Sequence, residues 1–179
     1  PHSGQNGRIA LVHNGIIENH ARLRDALRAK GVEFRSETDT EVIVHLIRTG
    51  LEQGASLFDA VRETVAQLEG AYAIAVVDTE HENEVVVARE GSPLVLGVGI
   101  GETFAGSDTL ALRQVTDTFV YLEDGDFAVL RPSGFQIFDE SGAPITREKT
   151  RLKGGDNQTD RGEFEHYMLK EIYEQPDRL

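Results

Sequence analysis

The sequence has 179 residues, a formal net charge of −13, 39% hydrophobic and 27% charged residues, and no cysteine. This length and composition predict one globular domain with a full core, and the acidic balance argues against nucleic acid or an anionic membrane as a partner, because both require a basic face. The absence of cysteine excludes a disulfide framework, and without a signal peptide or a membrane-spanning apolar run we expect a cytoplasmic protein.

The first predicted element is a short apolar strand at residues 9–12, which is followed by the polar step His13-Asn14-Gly15. Asn-Gly is a common hairpin-turn dipeptide, because both residues tolerate positive φ. The chain after Ile17 has a helical pattern, however, which weakens the hairpin interpretation. The alternative is that the Asn14 amide and the Gly15 N–H point at one substrate oxygen, which is the donor pair that an oxyanion hole needs.

Three amphipathic helices are predicted next, at residues 19–30, 38–53 and 56–68. In each of them apolar residues recur at helical spacing. Arg24 is placed on the water-facing side of the first helix. A short strand is predicted between the first two helices, at residues 32–34.

The start of the second helix carries an acidic residue of particular interest, Asp39. Thr38 and Glu41 have the spacing of a capping box, with Thr38 as the N-cap. Asp39 then lies in the first turn, where an acid commonly complements the helix dipole. From the residues alone, this structural role is favoured over a binding role.

From residue 71 the apolar pattern changes from a helical to a strand period. Seven strands separated by turn residues are predicted, at residues 71–78, 84–89, 94–99, 103–105, 118–122, 127–130 and 135–138. A helical turn that begins at Ser107 or Asp108 separates the fourth strand from the fifth. Helices followed by a meander predict an α+β fold with antiparallel sheets.

The last part of the chain changes character again. Residues 146–162 are polar and charged and include Gly154-Gly155, so they are predicted to form a linker. A helical pattern returns at residues 163–174 and ends before Pro176.

Four sequence blocks carry a resemblance to a known family: VHNGIIEN at residues 12–19, SETDTEV at 36–42, GSPL at 91–94 and HYMLKEIYEQP at 166–176. In this order they resemble the glutaminase domain of the glutamine–fructose-6-phosphate aminotransferases. These enzymes are class II glutamine amidotransferases of the N-terminal-nucleophile hydrolase group. The last block distinguishes them from other class II amidotransferases.

The resemblance implies an incomplete four-layer αββα sandwich, in which two antiparallel sheets lie between helical layers. It divides the chain into an amidotransferase domain without its N-terminal part at residues 1–145, a linker at 146–162, and the start of a connection to a sugar-isomerase domain at 163–179. Pro1-His2 resembles the end of a segment inside the family's domain, so we expect the chain to be truncated at both ends.

The resemblance also implies a reaction. In the family an N-terminal cysteine attacks the side-chain amide of L-glutamine, and the ammonia released converts fructose 6-phosphate to glucosamine 6-phosphate for hexosamine synthesis. Asn14 and Gly15 would stabilise the oxyanion, while Gly15 and Asp39 would bind glutamine, with Asp39 accepting its α-ammonium group. The nucleophile is absent from this chain, so we expect the chain alone to be inactive.

No metal or cofactor is implied by the resemblance, and a homo-oligomer is expected to form through the missing isomerase domain. Two alternatives remain open. One is another class II amidotransferase, such as amidophosphoribosyltransferase or asparagine synthetase. The other is a non-catalytic module that binds glutamine for regulation.

Overall fold

The computed structural model describes residues 2–3 and 7–152 of the chain. The helices are α1 (His20–Ala29), α2 (Asp39–Glu52), α3 (Leu57–Val65) and α4 (Thr109–Leu112). The strands are β1 (His2–Ser3), β2 (Ile9–Ile17), β3 (Gly70–Asp78), β4 (Val85–Glu90), β5 (Val95–Val98), β6 (Thr103–Gly106), β7 (Thr118–Tyr121), β8 (Phe127–Arg131), β9 (Gly134–Phe138), β10 (Pro144–Ile145) and β11 (Lys149–Arg151). None of these helices is long and apolar enough to cross a membrane.

The strands form two antiparallel sheets, a larger one with the order β1-β2-β3-β4-β8-β9-β10 and a smaller one with the order β11-β7-β5-β6. Successive residues of a strand face opposite sides of a sheet, so the larger sheet has two buried faces. One face packs on α2 and α3 through residues such as Leu11, Ile74 and Val86. The other face packs on the smaller sheet through residues such as Val87 and Ala128.

The helices cover the outer sides of this pair of sheets. α1 packs on α2 through Leu23, Leu27 and Val42. α4 lies on the outer face of the smaller sheet, because Gly97 of β5 faces Leu112. The predicted α+β class with two antiparallel sheets is therefore confirmed, and among the described residues α4 alone represents the helical layer outside the smaller sheet.

The strand period from residue 71 onward locates the meander accurately. The seven predicted strands appear as β3 to β9, and each observed end lies within one residue of the predicted end. The helical turn before β7 is also present as α4, and the Asp108 carboxylate caps it by accepting the N–H of Leu110 at 2.7 Å. In this region the turn residues and the alternation of side chains are enough to define the elements.

Near the start of the chain, the predicted end of the first strand at residue 12 and the predicted strand at residues 32–34 are both wrong. Asn14 and Gly15 do not form a hairpin turn, because β2 continues through them and pairs with β3 over nine consecutive residues. The predicted strand at residues 32–34 is absent. Val32 and Phe34 instead pack against α1 and α2 as part of a small apolar cluster, so their hydrophobicity reflects burial without sheet pairing.

The predicted linker begins with residues that belong to the two sheets. β10 pairs with β9 of the larger sheet, and β11 pairs with β7 of the smaller sheet, so the chain at residues 144–151 passes from one sheet to the other. Between these strands Arg147 makes a two-pronged ion pair with the buried Asp126, at 2.9 and 2.8 Å. The polar composition of this segment therefore reflects ion pairing, and residues 149–151 of the predicted linker form a strand of the smaller sheet. The remainder of the predicted linker and the helix after it lie outside the described residues.

We expect Arg147→Met to destabilise the protein by about 3 kcal/mol, because it leaves the Asp126 carboxylate buried without its partner. Asp126 is 1% exposed, and the Glu123 N–H is the hydrogen-bond donor that remains for its carboxylate. Urea unfolding measures the change. Arg151→Met is the control on the same segment, since its ion pair with Asp117 is largely exposed and its loss should change stability little. Equal effects of the two substitutions would contradict this account.

Candidate active site

Gly15 lies within β2 at a point where only glycine fits. It is opposite Tyr72 of β3 and has a φ of +122°. A Cβ atom at this position would lie 2.0 Å from the carbonyl oxygen of Ala71, so any other residue would push the two strands apart. Glycine is therefore required here by strand pairing, independently of any part it takes in chemistry.

The backbone N–H of Gly15 points away from β3, toward the other edge of β2. Residues of one strand direct their N–H groups alternately to the two sides. Ile17, two residues after Gly15, donates its N–H to Asp39 Oδ2 at 2.8 Å on the side away from β3, so Gly15 has the same direction. β1 pairs with β2 no further than Leu11, and no described strand covers the edge beside Gly15.

The Asn14 side chain lies on the face of the larger sheet that is turned toward the smaller sheet. It is opposite Ala73, which is buried between the sheets, but the smaller sheet does not extend over β2. The neighbours of Asn14 on this face, Val12 and Ile16, are accordingly 51% and 69% exposed. The Asn14 amide has no hydrogen-bond partner among residues 2–3 and 7–152, so within this part of the chain it is available as a donor beside the Gly15 N–H.

Asp39 begins α2 and reaches across to β2. Its Oδ2 accepts the N–H of Ile17 and its Oδ1 accepts the N–H of Thr40, both at 2.8 Å. The dipole of α2 accounts for an acid in the first turn, but it does not account for the bond to β2. Carboxylate oxygens can each accept more than one hydrogen bond, and 22% of the side chain is exposed. Asp39 can therefore bind a further donor, such as an ammonium group.

The segment that precedes α2 is held by a buried arginine of α1. Arg24 is 4% exposed, which contradicts the prediction that it faces water. Its guanidinium donates to the carbonyl oxygens of Ser36 and Thr38, both at 2.7 Å, and lies over the Phe34 ring. Arg24 lies between Leu23 and Leu27, the α1 residues that pack on α2. This spacing was the sequence feature that could have predicted its burial.

Glu41 holds the same segment from within α2. Its carboxylate accepts the N–H groups of Arg35 and Ser36 at 2.8 and 2.7 Å and the Ser36 hydroxyl at 2.6 Å. The predicted capping box is wrong, because Thr38 is the N-cap but its side chain makes no capping bond. Burial by itself would raise the pKa of Glu41, but these hydrogen bonds outweigh it and lower the pKa to about 2.

His13 is a further residue near Asp39 that the sequence did not identify. It points to the helical side of the larger sheet, where its Nδ1 lies 3.0 Å from Thr40 Oγ1 and 4.0 Å from Asp39 Oδ1. The alternation of side chains along β2, with Asn14 on one face and His13 on the other, was the available signal. In the described part of the chain, no three histidine or acidic side chains converge to hold a metal ion.

Comparison with known proteins gives a consistent result. Residues 1–114 match the model of a glutamine amidotransferase domain. The chain is 49% identical over 178 residues to a glutamine–fructose-6-phosphate aminotransferase (isomerizing) from Acinetobacter baylyi, and 51% identical over 176 residues to the protein of the same name from Idiomarina loihiensis. These alignments cover 99% and 98% of the chain but 29% of each relative, so the chain spans less than a third of their length.

Solved structures extend the similarity to another enzyme. The glutamine phosphoribosylpyrophosphate amidotransferase from B. subtilis superimposes with a TM-score of 0.66 and 28% identity, over 78% of this chain and 30% of that one. A structure described as the allosteric regulatory enzyme of purine biosynthesis has a TM-score of 0.63 and 29% identity, over 76% of this chain and 30% of that one. The arrangement of sheets and helices is therefore shared with a glutamine phosphoribosylpyrophosphate amidotransferase.

We expect Glu41→Gln to remove a pH-dependent contribution to stability. Because folding lowers the pKa of Glu41 from 4.5 to about 2, its contribution is complete above pH 4.5 and is lost as the pH falls toward 2. The lost amount is up to about 3 kcal/mol. The free energy of unfolding, measured with urea from neutral pH down to this range, should fall more steeply for the unmodified protein than for Glu41→Gln. Parallel curves would contradict this assignment.

Proposed function

The chain belongs to the glutamine amidotransferase domain family, and from this we propose that it forms part of the glutaminase domain of a glutamine–fructose-6-phosphate aminotransferase. The proposal is supported by 49% identity to such an enzyme across 99% of the chain. The observation that carries it is the hydrogen bond between Asp39 and Ile17, which places a carboxylate two residues from the Asn14–Gly15 donor pair on one open strand edge.

The spacing of these groups suits glutamine. Two residues of a strand span about 7 Å, which separates the Gly15 N–H from the N–H of Ile17 that Asp39 accepts. The α-nitrogen and the side-chain amide oxygen of an extended glutamine are about 6 Å apart, given ordinary bond lengths. A glutamine lying along the edge of β2 can therefore give its ammonium group to Asp39 and place its amide oxygen at Asn14 and Gly15.

The chemistry of these groups also fits amide hydrolysis. The α-amine of the N-terminal residue takes the thiol proton, and the thiolate adds to the amide carbon, so that the carbonyl oxygen becomes an oxyanion. The protonated amine then returns the proton to the amide nitrogen, and the intermediate collapses to a thioester as ammonia leaves. The Asn14 amide and the Gly15 N–H donate to the oxyanion, where their effect on rate is largest because the charge is greatest in the transition state. Water then cleaves the thioester to give glutamate.

The rest of the enzyme is proposed by analogy with the relatives. The 179 residues contain no cysteine, so the nucleophile lies outside them and this chain alone releases no ammonia. A sugar-isomerase domain that follows residues 163–179 would bind fructose 6-phosphate and form the contacts of a cytoplasmic homo-oligomer. Glutamate and glucosamine 6-phosphate formed by the full-length protein test the proposal, and a protein that forms neither would overturn it.

A second candidate is an amidotransferase with another acceptor, because the B. subtilis phosphoribosylpyrophosphate enzyme shares the fold. Its 28% identity is well below the 49% identity to the sugar aminotransferases, and we therefore favour fructose 6-phosphate. Supplying the full-length protein with glutamine and either acceptor distinguishes the two. Faster glutamine consumption with phosphoribosylpyrophosphate would support the second candidate.

In the full-length protein we expect Asp39→Asn to lower kcat/KM for glutamine by about 10- to 100-fold, because a hydrogen bond between charged groups is worth about 1.5–3 kcal/mol. Asp59→Asn is the matched control, since Asp59 is also a first-turn acid but lies in α3. It should leave kcat/KM unchanged. If both variants lose thermal stability and neither loses kcat/KM, Asp39 stabilises the start of α2 and does not bind glutamine.

We expect Asn14→Ala to lower kcat for glutamine hydrolysis by about 100-fold or more, with little change in KM, because its amide acts mainly on the oxyanion. Asn14 does not have positive φ, so alanine introduces no backbone strain. Val12→Ala, on the same exposed face of β2, is the control and should retain kcat. If Asn14→Ala has the same kcat as the unmodified protein, Asn14 does not stabilise the oxyanion.

A further inference from the structure

A second contact between β2 and α2 lies beside the bond from Ile17 to Asp39. His13 Nδ1 is 3.0 Å from Thr40 Oγ1. Thr40 in turn lies against Asp39, with its N–H 2.8 Å and its hydroxyl 3.4 Å from Asp39 Oδ1. Hydrogen-bonding groups therefore run without interruption from the residue before Asn14 to the carboxylate that begins α2.

The burial of His13 decides which group is the donor in each of these hydrogen bonds. Its side chain is 2% exposed, and burial lowers its pKa, so the imidazole is neutral at pH 7 and carries one N–H. Its Nε2 is buried and has no partner within the described residues. A buried N–H without a partner is costlier than a buried acceptor without one, which places the proton on Nδ1. His13 then donates to Thr40 Oγ1, and the Thr40 hydroxyl is free to donate to Asp39.

The two contacts together fix the start of α2 relative to the strand. They leave β2 at His13 and Ile17, which are about 13 Å apart along a strand, and they converge on the adjacent residues Asp39 and Thr40. Arg24 and Glu41 hold the segment before α2, and these two contacts are the side-chain hydrogen bonds that join its first residues directly to β2. Together, the contacts of His13 and Ile17 hold the Asp39 carboxylate at a fixed distance from the edge of β2.

We propose that His13 and Thr40 are positioning residues that keep the Asp39 carboxylate at the distance from Asn14 and Gly15 that glutamine requires. This inference rests on the proposed function, because it assigns the two residues to the same glutamine site. It gives neither of them a contact with glutamine. The Thr40 hydroxyl acts through Asp39, and His13 acts through Thr40.

The test uses steady-state glutamine hydrolysis by the full-length protein. Thr40→Val replaces the hydroxyl with a methyl group of similar shape, and we expect it to raise KM for glutamine by about fivefold with kcat changed less than about twofold, the size expected for one hydrogen bond. Thr40→Ser keeps the hydroxyl and should restore KM. Thr49→Val is the matched control, because the Thr49 hydroxyl donates to the His45 carbonyl further along α2.

A double-mutant cycle distinguishes positioning from a general loss of stability. If Thr40 acts through Asp39, Thr40→Val should add little to the KM already raised by Asp39→Asn, so the two effects are not additive. Unchanged KM in Thr40→Val, failure of Thr40→Ser to restore it, or full additivity with Asp39→Asn would overturn the inference while glutamine hydrolysis by the unmodified protein stands. No hydrolysis by the unmodified protein would instead overturn the proposed function.

Discussion

The close pairing of β2 with β3 is the constraint on which the candidate site depends. The two strands run side by side over nine residues, and Gly15 passes the Ala71 carbonyl at a distance that leaves no room for a Cβ atom. With β3 occupying one side of β2, the N–H groups of Gly15 and Ile17 are directed to the other side. That edge, which no described strand covers beside Gly15, carries the backbone donor, the Asn14 amide and the Asp39 carboxylate that we propose bind glutamine.

Buried charged side chains fix the backbone conformation of segments that form no helix or strand. In residues 35–38, Arg24 binds backbone carbonyl groups and Glu41 binds backbone N–H groups. This segment leads directly into Asp39 at the start of α2. Arg147 has a similar effect near the other end, where its bond to Asp126 fastens the crossing between the sheets. Removing one partner of such a pair costs more than the pair contributes, because the remaining group stays buried.

The arrangement explains how one fold can serve amidotransferases with different acceptors. The groups that we propose bind glutamine lie on β2 and α2, and the phosphoribosylpyrophosphate enzyme superimposes over 78% of this chain. Acceptor chemistry would then be the task of the remainder of each protein, since the chain covers 29% of its sugar-aminotransferase relatives. In the proposed site, a carboxylate held beside the two oxyanion donors would select an amino acid over a simple amide, whichever acceptor receives the ammonia.

The sequence by itself determined the elements whose signals are local. Apolar alternation and turn residues located β3 to β9 within one residue, and Ser56 and Asp108 marked the starts of α3 and α4. The resemblance of its motifs identified Asn14, Gly15 and Asp39 as candidates. Only the tertiary structure decided that Asn14-Gly15 continues a strand, that Arg24 is buried, that Glu41 reaches past Thr38, and that His13 meets Thr40. Each of these depends on a partner from a distant part of the chain, such as β3 beside Gly15, and a local pattern contains no information about which distant segment will pack against it.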